Sequence, residues 1–212
     1  MTEPQPIVFI IDDDISVREG ISDLLRSVGL GVQTYASTQE FVSGNRPDAR
    51  GCIILDVRLP GRSGLDFQQT LAELGIRLPV IFISAHGDIP ISVRAMKSGA
   101  IEFLTKPINE QQLLDAVQAG IELDLVNRQD NALATELRAR FDSLTPRERE
   151  IMSLVVSGSG KLNKQIGFQV GLSEMTVKVH RSHVMQKMQA KSLVDLVRMA
   201  DKLGVSAPKP KA

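Results

Sequence analysis

Along residues 1–126, short unbroken apolar runs alternate with segments whose apolar positions recur every three or four residues. Ile7-Val8-Phe9-Ile10-Ile11, Cys52-Ile53-Ile54-Leu55 and Val80-Ile81-Phe82-Ile83 are rich in β-branched residues, the pattern of strands buried on both faces of a parallel sheet. Weaker strand signals cover residues 32–35 and 102–105. Between them, helical spacing predicts helices over residues 17–28, entered by Ser16 and left at Gly29, over 39–42, over 65–74, over 90–97 with Pro90 in the first turn and Gly99 beyond the end, and from Glu110 onward. Five strand–helix repeats predict an α/β domain with a doubly wound, five-stranded parallel sheet.

The last of these helices has no stop signal. Leu113, Leu114, Val117, Ile121 and Leu125, then Leu133 and Leu137, continue the helical spacing, and no Gly or Pro stands between Gly120 and Pro146. A solvated helical linker is therefore expected over residues 123–142, between a first domain at 1–122 and an all-α domain at 143–206. In the all-α part, Thr145-Pro146-Arg147-Glu148 is a capping box opening a helix that breaks at Gly158-Ser159-Gly160. A short helix over 163–170 closes at Gly171, Ser173 caps a third over 174–188, and Ser192 with Asp195 starts a fourth that ends at Leu203-Gly204. The Pro/Lys-rich tail, 207–212, is expected to be disordered.

Composition narrows the class. An apolar share of 42% with 24% charged residues excludes wholesale disorder, and the lone Cys52 excludes a disulfide scaffold and a Cys-based zinc site. No apolar run approaches the ~20 residues that cross a bilayer. Met1-Thr2-Glu3-Pro4-Gln5-Pro6 has no basic region before its apolar run, so no signal peptide is expected and a cytoplasmic, membrane-free protein is. The zero net charge conceals two opposite halves: residues 1–126 carry 10 Lys/Arg and 17 Asp/Glu, a net −7, and residues 127–212 carry 15 and 8, a net +7. That split points to two domains with different partners, nucleic acid being a candidate for the basic one.

In a doubly wound sheet, ligands bind at the carboxyl ends of the strands. Asp12 and Asp13 follow the first apolar run, Asp56 follows Leu55, and two other strand ends deliver Ser84 and Lys106-Pro107. Converging carboxylates repel one another, and a hard, oxygen-preferring Mg²⁺ relieves that repulsion. One carboxylate can then attack a phosphoryl group, with a lysine and the metal neutralising the oxygens. The plain alternative is that acids after strands form turns and helix caps. A phosphohydrolase of the haloacid dehalogenase type is a second alternative, resting on Asp12-Asp13-Asp14 as an Asp-x-Asp pair; it leaves Asp56, Ser84, Lys106 and the basic half unexplained.

Asp12-Asp13, the run Leu55-Asp56-Val57-Arg58-Leu59-Pro60-Gly61-Arg62-Ser63-Gly64, Ser84-Ala85 and Lys106-Pro107 closely resemble the receiver domain of two-component response regulators over residues 5–126. The resemblance implies that Asp56 is the phosphoacceptor, that Asp12, Asp13, Asp56 and the Arg58 carbonyl hold Mg²⁺ or Mn²⁺, and that Lys106 contacts the phosphoryl oxygens. It further implies a switch pair, Ser84 and Phe103, a cis peptide at Lys106-Pro107, dimer contacts at Val93 and Lys97, and a sensor histidine kinase as donor. No catalysis is implied beyond the receiver's own phosphotransfer and dephosphorylation.

In the basic half, Val177, Val184 and Met188 share one stripe of the third helix, while Lys178, Arg181, Ser182 and His183 occupy other positions. With the preceding short helix and the turn Val170-Gly171-Leu172-Ser173, this makes a helix-turn-helix; the alternative is a small bundle with a solvated basic face. Leu144-Thr145-Pro146-Arg147-Glu148-Arg149-Glu150, Asn163-Lys164-Gln165-Ile166-Gly167 and Thr176-Val177-Lys178-Val179-His180 resemble the four-helix DNA-binding domain of the LuxR/NarL/FixJ family, FixJ-like in type, over residues 144–204. That resemblance implies base contacts from Lys178, Val179 and Ser182, phosphate contacts from Asn163, Lys164, Thr176 and Arg181, promoter DNA and RNA polymerase as partners, and control by dimerisation or domain release. The family's turn is shorter than Gly158-Ser159-Gly160-Lys161-Leu162, so Ser159-Gly160 reads as an insertion near Lys164. His180 and His183 stand three apart on a helix, as a metal pair would, but no third ligand lies near them in sequence.

Overall fold

The computed structural model describes residues 5–61, 63–85, 89–157 and 162–205. The Ser159-Gly160 insertion and the tail at 207–212 lie outside the described residues.

The apolar runs form five parallel strands: β1 (Ile7–Ile11), β2 (Gly31–Tyr35), β3 (Gly51–Asp56), β4 (Val80–Ser84) and β5 (Glu102–Thr105), in the order β2-β1-β3-β4-β5. Successive side chains of a strand point to opposite faces, and here both faces are covered. Val8, Ile10, Cys52, Ile54, Ile81 and Ile83 pack with Ile21 and Leu25 of α1 (Ile15–Ser27) and with Leu113, Val117 and Ile121 of α5 (Glu110–Asp142). Phe9, Ile11, Ile53, Leu55, Val80 and Phe82 pack on the other side with Phe41 of α2 (Thr38–Ser43), Phe67 and Leu71 of α3 (Gly64–Glu73) and Ala95 of α4 (Ile89–Lys97). Burial on both faces is why these strands read as unbroken apolar runs. The strand order reverses between β1 and β3, so their carboxyl ends open a crevice.

Side-chain caps start several of the helices. Ser37 and Ser63 accept hydrogen bonds from Glu40 N and Leu65 N. The first helix is capped differently from expectation: Asp14, not Ser16, is the N-cap, accepting from Ser16 N at 2.8 Å, so α1 begins at Ile15. A carboxylate one residue outside the first turn reaches the free N–H groups and leaves Ser16 inside the helix.

The chain divides into two compact units between Arg128 and Gln129. The first therefore runs into the segment read as linker, and a buried carboxylate explains why. Asp124 Oδ2 accepts from Gly51 N at 3.1 Å and from Arg128 Nε at 2.7 Å, and Arg128 also donates to Asp48 Oδ1 at 2.6 Å and to the Ala49 carbonyl at 2.8 Å. This clamp closes the amino-terminal edge of β3, the end opposite the crevice.

The second unit is all-α: α6 (Pro146–Val156), α7 (Asn163–Val170), α8 (Glu174–Met188) and α9 (Leu193–Leu203), with residues of the distal part of α5. Met152, Val184, Met188, Leu196 and Ala200 form one core with Leu137 and Phe141 against it; Ile151, Leu154, Ile166 and Val177 form another. The capping box at Thr145 and Glu148 is formed in both directions. α7 ends at Gly171 in the left-handed region, φ 69°, and Ser173 caps α8 three residues before Thr176. Among the described residues, no helix is long and apolar enough to cross a membrane.

Gly51 carries a sharp constraint. It pairs with Ile7 in the sheet, and an added Cβ would fall 1.8 Å from the Ile7 carbonyl oxygen. Gly51→Ala is expected to destabilise the first unit by about 3 kcal/mol through forced separation of β1 and β3. Urea unfolding followed by fluorescence of Tyr35, the chain's one tyrosine in a protein without tryptophan, checks this.

Candidate functional site

The carboxyl ends of β1, β3, β4 and β5 bring together most of the groups singled out in the first unit. Asp12 follows β1 and is fully buried, Asp56 ends β3 and is buried, and Asp13 is exposed; one carboxylate oxygen from each lies within 4.8 Å of the others. Lys106, just after β5, reaches across the crevice, with its Nζ 2.6 Å from Asp12 Oδ2 and 2.7 Å from Asp56 Oδ2. Backbone amides take up the other oxygens: Asp14 N donates to Asp12 Oδ1 and Arg58 N to Asp56 Oδ1, each at 2.9 Å.

The electrostatics follow from burial. Desolvation pushes the Asp12 carboxyl above its ordinary range, and the nearby Asp56 charge adds to this, although Lys106 and Asp14 N act in the opposite direction. Burial works against the Lys106 ammonium as well, but its hydrogen bonds to Asp12 and Asp56 outweigh it and hold the amine above its usual value. The cluster thus holds one fixed cation between two buried acids, with a third acid at the mouth.

Ser84 is buried at the end of β4, and the Lys106 amide donates to its carbonyl at 2.8 Å. Phe103, half-buried on β5, pairs in register with Phe82 and packs against the core on the α4 side. The Lys106-Pro107 peptide is cis. Val93 and Lys97 are exposed on α4.

Two contributors were given no role from the sequence, Gly64 standing there only as the end of the run that begins at Leu55. Arg18 on α1 donates from Nη1 to the Asp12 carbonyl at 2.5 Å, fixing the backbone at the end of β1; its position one helical turn beyond Asp14 was the available signal. Gly64 opens α3 so close to the site that a Cβ there would lie 2.2 Å from the Asp56 carbonyl oxygen. Any side chain at that position would displace the strand end carrying Asp56.

In the second unit, α7 and α8 form the expected helix-turn-helix. Met175, Lys178, Val179, Ser182 and Gln186 are all exposed and lie on one face of α8, opposite the buried Val177, Val184 and Met188. Lys164 is exposed on α7. Thr176 and Arg181 are half-buried: Thr176 Oγ1 is 2.7 Å from Ser173 Oγ, and Arg181 Nη1 donates to Asn163 Oδ1 at 2.6 Å. Asn163 and Arg181, both assigned to phosphate, are therefore held together across the two helices. Behind this face stands a feature the sequence did not disclose beyond the capping box. Glu148 Oε2 accepts from Thr145 N at 2.8 Å and from Lys187 Nζ of α8 at 2.7 Å, and one oxygen of this carboxylate lies within 4.8 Å of a ring nitrogen of His180 and of His183.

The architecture and both sites define a two-domain signalling regulator, a receiver-type α/β domain joined to a helix-turn-helix domain. The family model for the response regulator receiver domain matches residues 8–118, and that for bacterial regulatory proteins of the luxR family matches residues 142–200. The chain belongs to the two-component response regulators with a LuxR-type DNA-binding domain. It is 51% identical to nodulation protein W of Bradyrhizobium diazoefficiens over 95% of this chain and 88% of that protein. It is 41% identical to the transcriptional regulatory protein FixJ of Azorhizobium caulinodans over 97% of this chain and 96% of that protein. Among solved structures, response regulator StyR matches with a TM-score of 0.80 at 47% identity, covering 94% of this chain and 100% of that one.

The Glu148 carboxylate generates a pH prediction. Burial alone would raise its pKa, but the hydrogen bonds from Lys187 and Thr145 lower it to about 2. The native unit then binds fewer protons than the unfolded chain, so the stability Glu148 confers is fully present above about pH 4.5 and is lost as the pH falls toward 2. Methyl NMR signals of Met152 and Met188 during urea unfolding should show the midpoint falling through this window. Glu148→Gln should lower the midpoint at neutral pH and flatten the acid-side decline.

Proposed function

We propose that this protein is a cytoplasmic, phosphorylation-controlled transcription factor in which Asp56 accepts a phosphoryl group from a sensor histidine kinase. The observation that supports this best is the Lys106 ammonium held between the buried Asp12 and Asp56 carboxylates at strand ends. An oxygen of Asp56 forms the new O–P bond, while the donor's P–N bond breaks and its imidazole nitrogen keeps the electron pair. Lys106 transfers its hydrogen bond from Asp56 to a phosphoryl oxygen, supplying positive charge where negative charge accumulates.

The receiver family normally uses Mg²⁺, and the donor set here suits it: all oxygen, two buried carboxylates, and a raised Asp12 whose ionised form a cation would stabilise. Asp12, Asp13, Asp56 and the Arg58 carbonyl would hold Mg²⁺ or Mn²⁺, whose chemistry is to neutralise the phosphoryl oxygens. Asp13 at the mouth gives the ion access from solvent.

Phosphorylation replaces the single negative charge of the Asp56 carboxylate with about −1.5 to −2 carried by the phosphoryl group. Ser84 hydrogen-bonds the new oxygens, and Phe103 rotates into the space this opens, changing the surface of α4 and β5 around Val93 and Lys97, where a homodimer forms. The second unit then docks α8 in the major groove of promoter DNA and acts with RNA polymerase. Lys178, Val179 and Ser182 read base edges, and Asn163, Lys164, Thr176 and Arg181 hold phosphates, with the Asn163–Arg181 bond presetting that pair's geometry.

Asp56→Asn should take up no phosphoryl group from acetyl phosphate, and label persisting in that variant would exclude Asp56 as the acceptor. DNA affinity measured at fixed salt should rise with the phosphoryl donor; equal affinity would leave DNA binding standing and remove phospho-control. Lys178→Ala should lose about 1–3 kcal/mol of discrimination at one base pair. Lys164→Ala should weaken binding to all sequences alike and reduce the salt slope by about one.

A further inference from the structure

Apart from the acidic cluster of the receiver, one group of metal-ligating side chains stands among the described residues. Glu148 of α6 and His180 and His183 of α8 each offer one ligand atom, and the three atoms lie within 4.8 Å of one another. His183 Nδ1 is 3.6 Å from Glu148 Oε1. A tetrahedral zinc ion with bonds of about 2.0–2.1 Å keeps its ligand atoms about 3.3 Å apart, so this pair is already near the spacing zinc imposes.

The carboxylate is divided to suit a second cation. Oε2 is taken by Lys187 Nζ and Thr145 N, which leaves Oε1 turned toward His183. His180 supplies an independent observation: its Nδ1 is shut off from solvent and has no hydrogen-bond partner among the described residues. A buried polar atom left without a partner is destabilising, and one ring nitrogen of His180 lies within the cluster. The His183 side chain, 52% exposed, opens the cluster to solvent.

We propose that Glu148, His180 and His183 form a Zn²⁺ site that pins the recognition helix α8 to α6, with the fourth position filled by water. Two imidazole nitrogens and one carboxylate oxygen select Zn²⁺ over Mg²⁺, so the site takes a different ion from the one the acidic cluster suits. The Lys187 ammonium on the same carboxylate opposes the incoming charge and lowers the affinity. On the function proposed above, zinc thereby acts directly on the helix whose residues Lys178, Val179, Arg181 and Ser182 contact DNA.

The test is zinc binding by the untagged full chain in excess Mg²⁺, which occupies the acidic cluster, in competition with a chromogenic chelator. The expected result is one zinc per chain at micromolar affinity, with the visible bands of four- or five-coordinate cobalt when Co²⁺ replaces it. His180→Gln and His183→Gln should each weaken binding by more than the roughly 10–100-fold typical of losing a group that only supports a ligand, and each should abolish the cobalt bands while circular dichroism stays unchanged. Lys187→Gln should tighten binding. No binding by the wild-type chain at micromolar zinc, or equal binding by the His180→Gln/His183→Gln double variant, would overturn the proposal.

Discussion

Two buried carboxylates sharing a single ammonium are stable only if the backbone fixes all three charges in place, because water would otherwise draw them apart. Asp12 and Asp56 meet Lys106 at 2.6 and 2.7 Å although 94 and 50 residues separate them from it along the chain. Strand register achieves this. β1 lies beside β3, β3 beside β4 and β4 beside β5, and the Val57 and Lys106 amides donate to the Ile83 and Ser84 carbonyls just where the strands end. A slip of one residue in any ladder would turn an acid into the core or Lys106 out to water. The sheet is thus a device for aligning charges that no local sequence could hold together. A ligand that draws Lys106 away from one acid must bring charge of its own, which makes the site responsive to anions and cations together.

The second unit solves a related problem with one acid. Glu148 caps α6 through Thr145 and ties α8 to α6 through Lys187, so the recognition helix is anchored by a charge as well as by Val177, Val184 and Met188. An apolar core alone permits a helix to rotate by small amounts; a hydrogen-bonded ion pair in a buried setting has a direction. The exposed stripe of α8 inherits that orientation. Arg181 bonded to Asn163 performs the same service between α8 and α7.

What was legible in the sequence was set by periodicity and punctuation. Every strand and helix core emerged from the spacing of apolar residues, and most ends from Gly, Pro and Ser, because these signals are local. Asp12, Asp13, Asp56, Ser84 and Lys106 were legible because a strand's carboxyl end is a predictable place. The misses are tertiary. Ser16 was read as the cap of α1 although Asp14, two residues earlier, offered the longer reach. Glu148 was visible as a capping residue, but its partners Lys187 and His183 lie on another helix, and the 34 residues between Glu148 and His183 carry no sign of the contact. Arg18 acts on a backbone carbonyl, and such a contact leaves no trace in residue pairing.

The Asp124–Arg128 clamp bears on how such chains are recombined in evolution. The helical period runs through residue 128 without a mark, yet Asp48, the Ala49 carbonyl and the Gly51 amide all depend on side chains from that stretch of helix. A crossover placed at residue 122, where pattern alone would put the domain edge, would strip the amino-terminal edge of β3 of its bonding partners. The heritable cassette is therefore longer than the sheet and its covering helices. Any output domain grafted onto this receiver must accept a leader helix that still carries an aspartate and an arginine one turn apart.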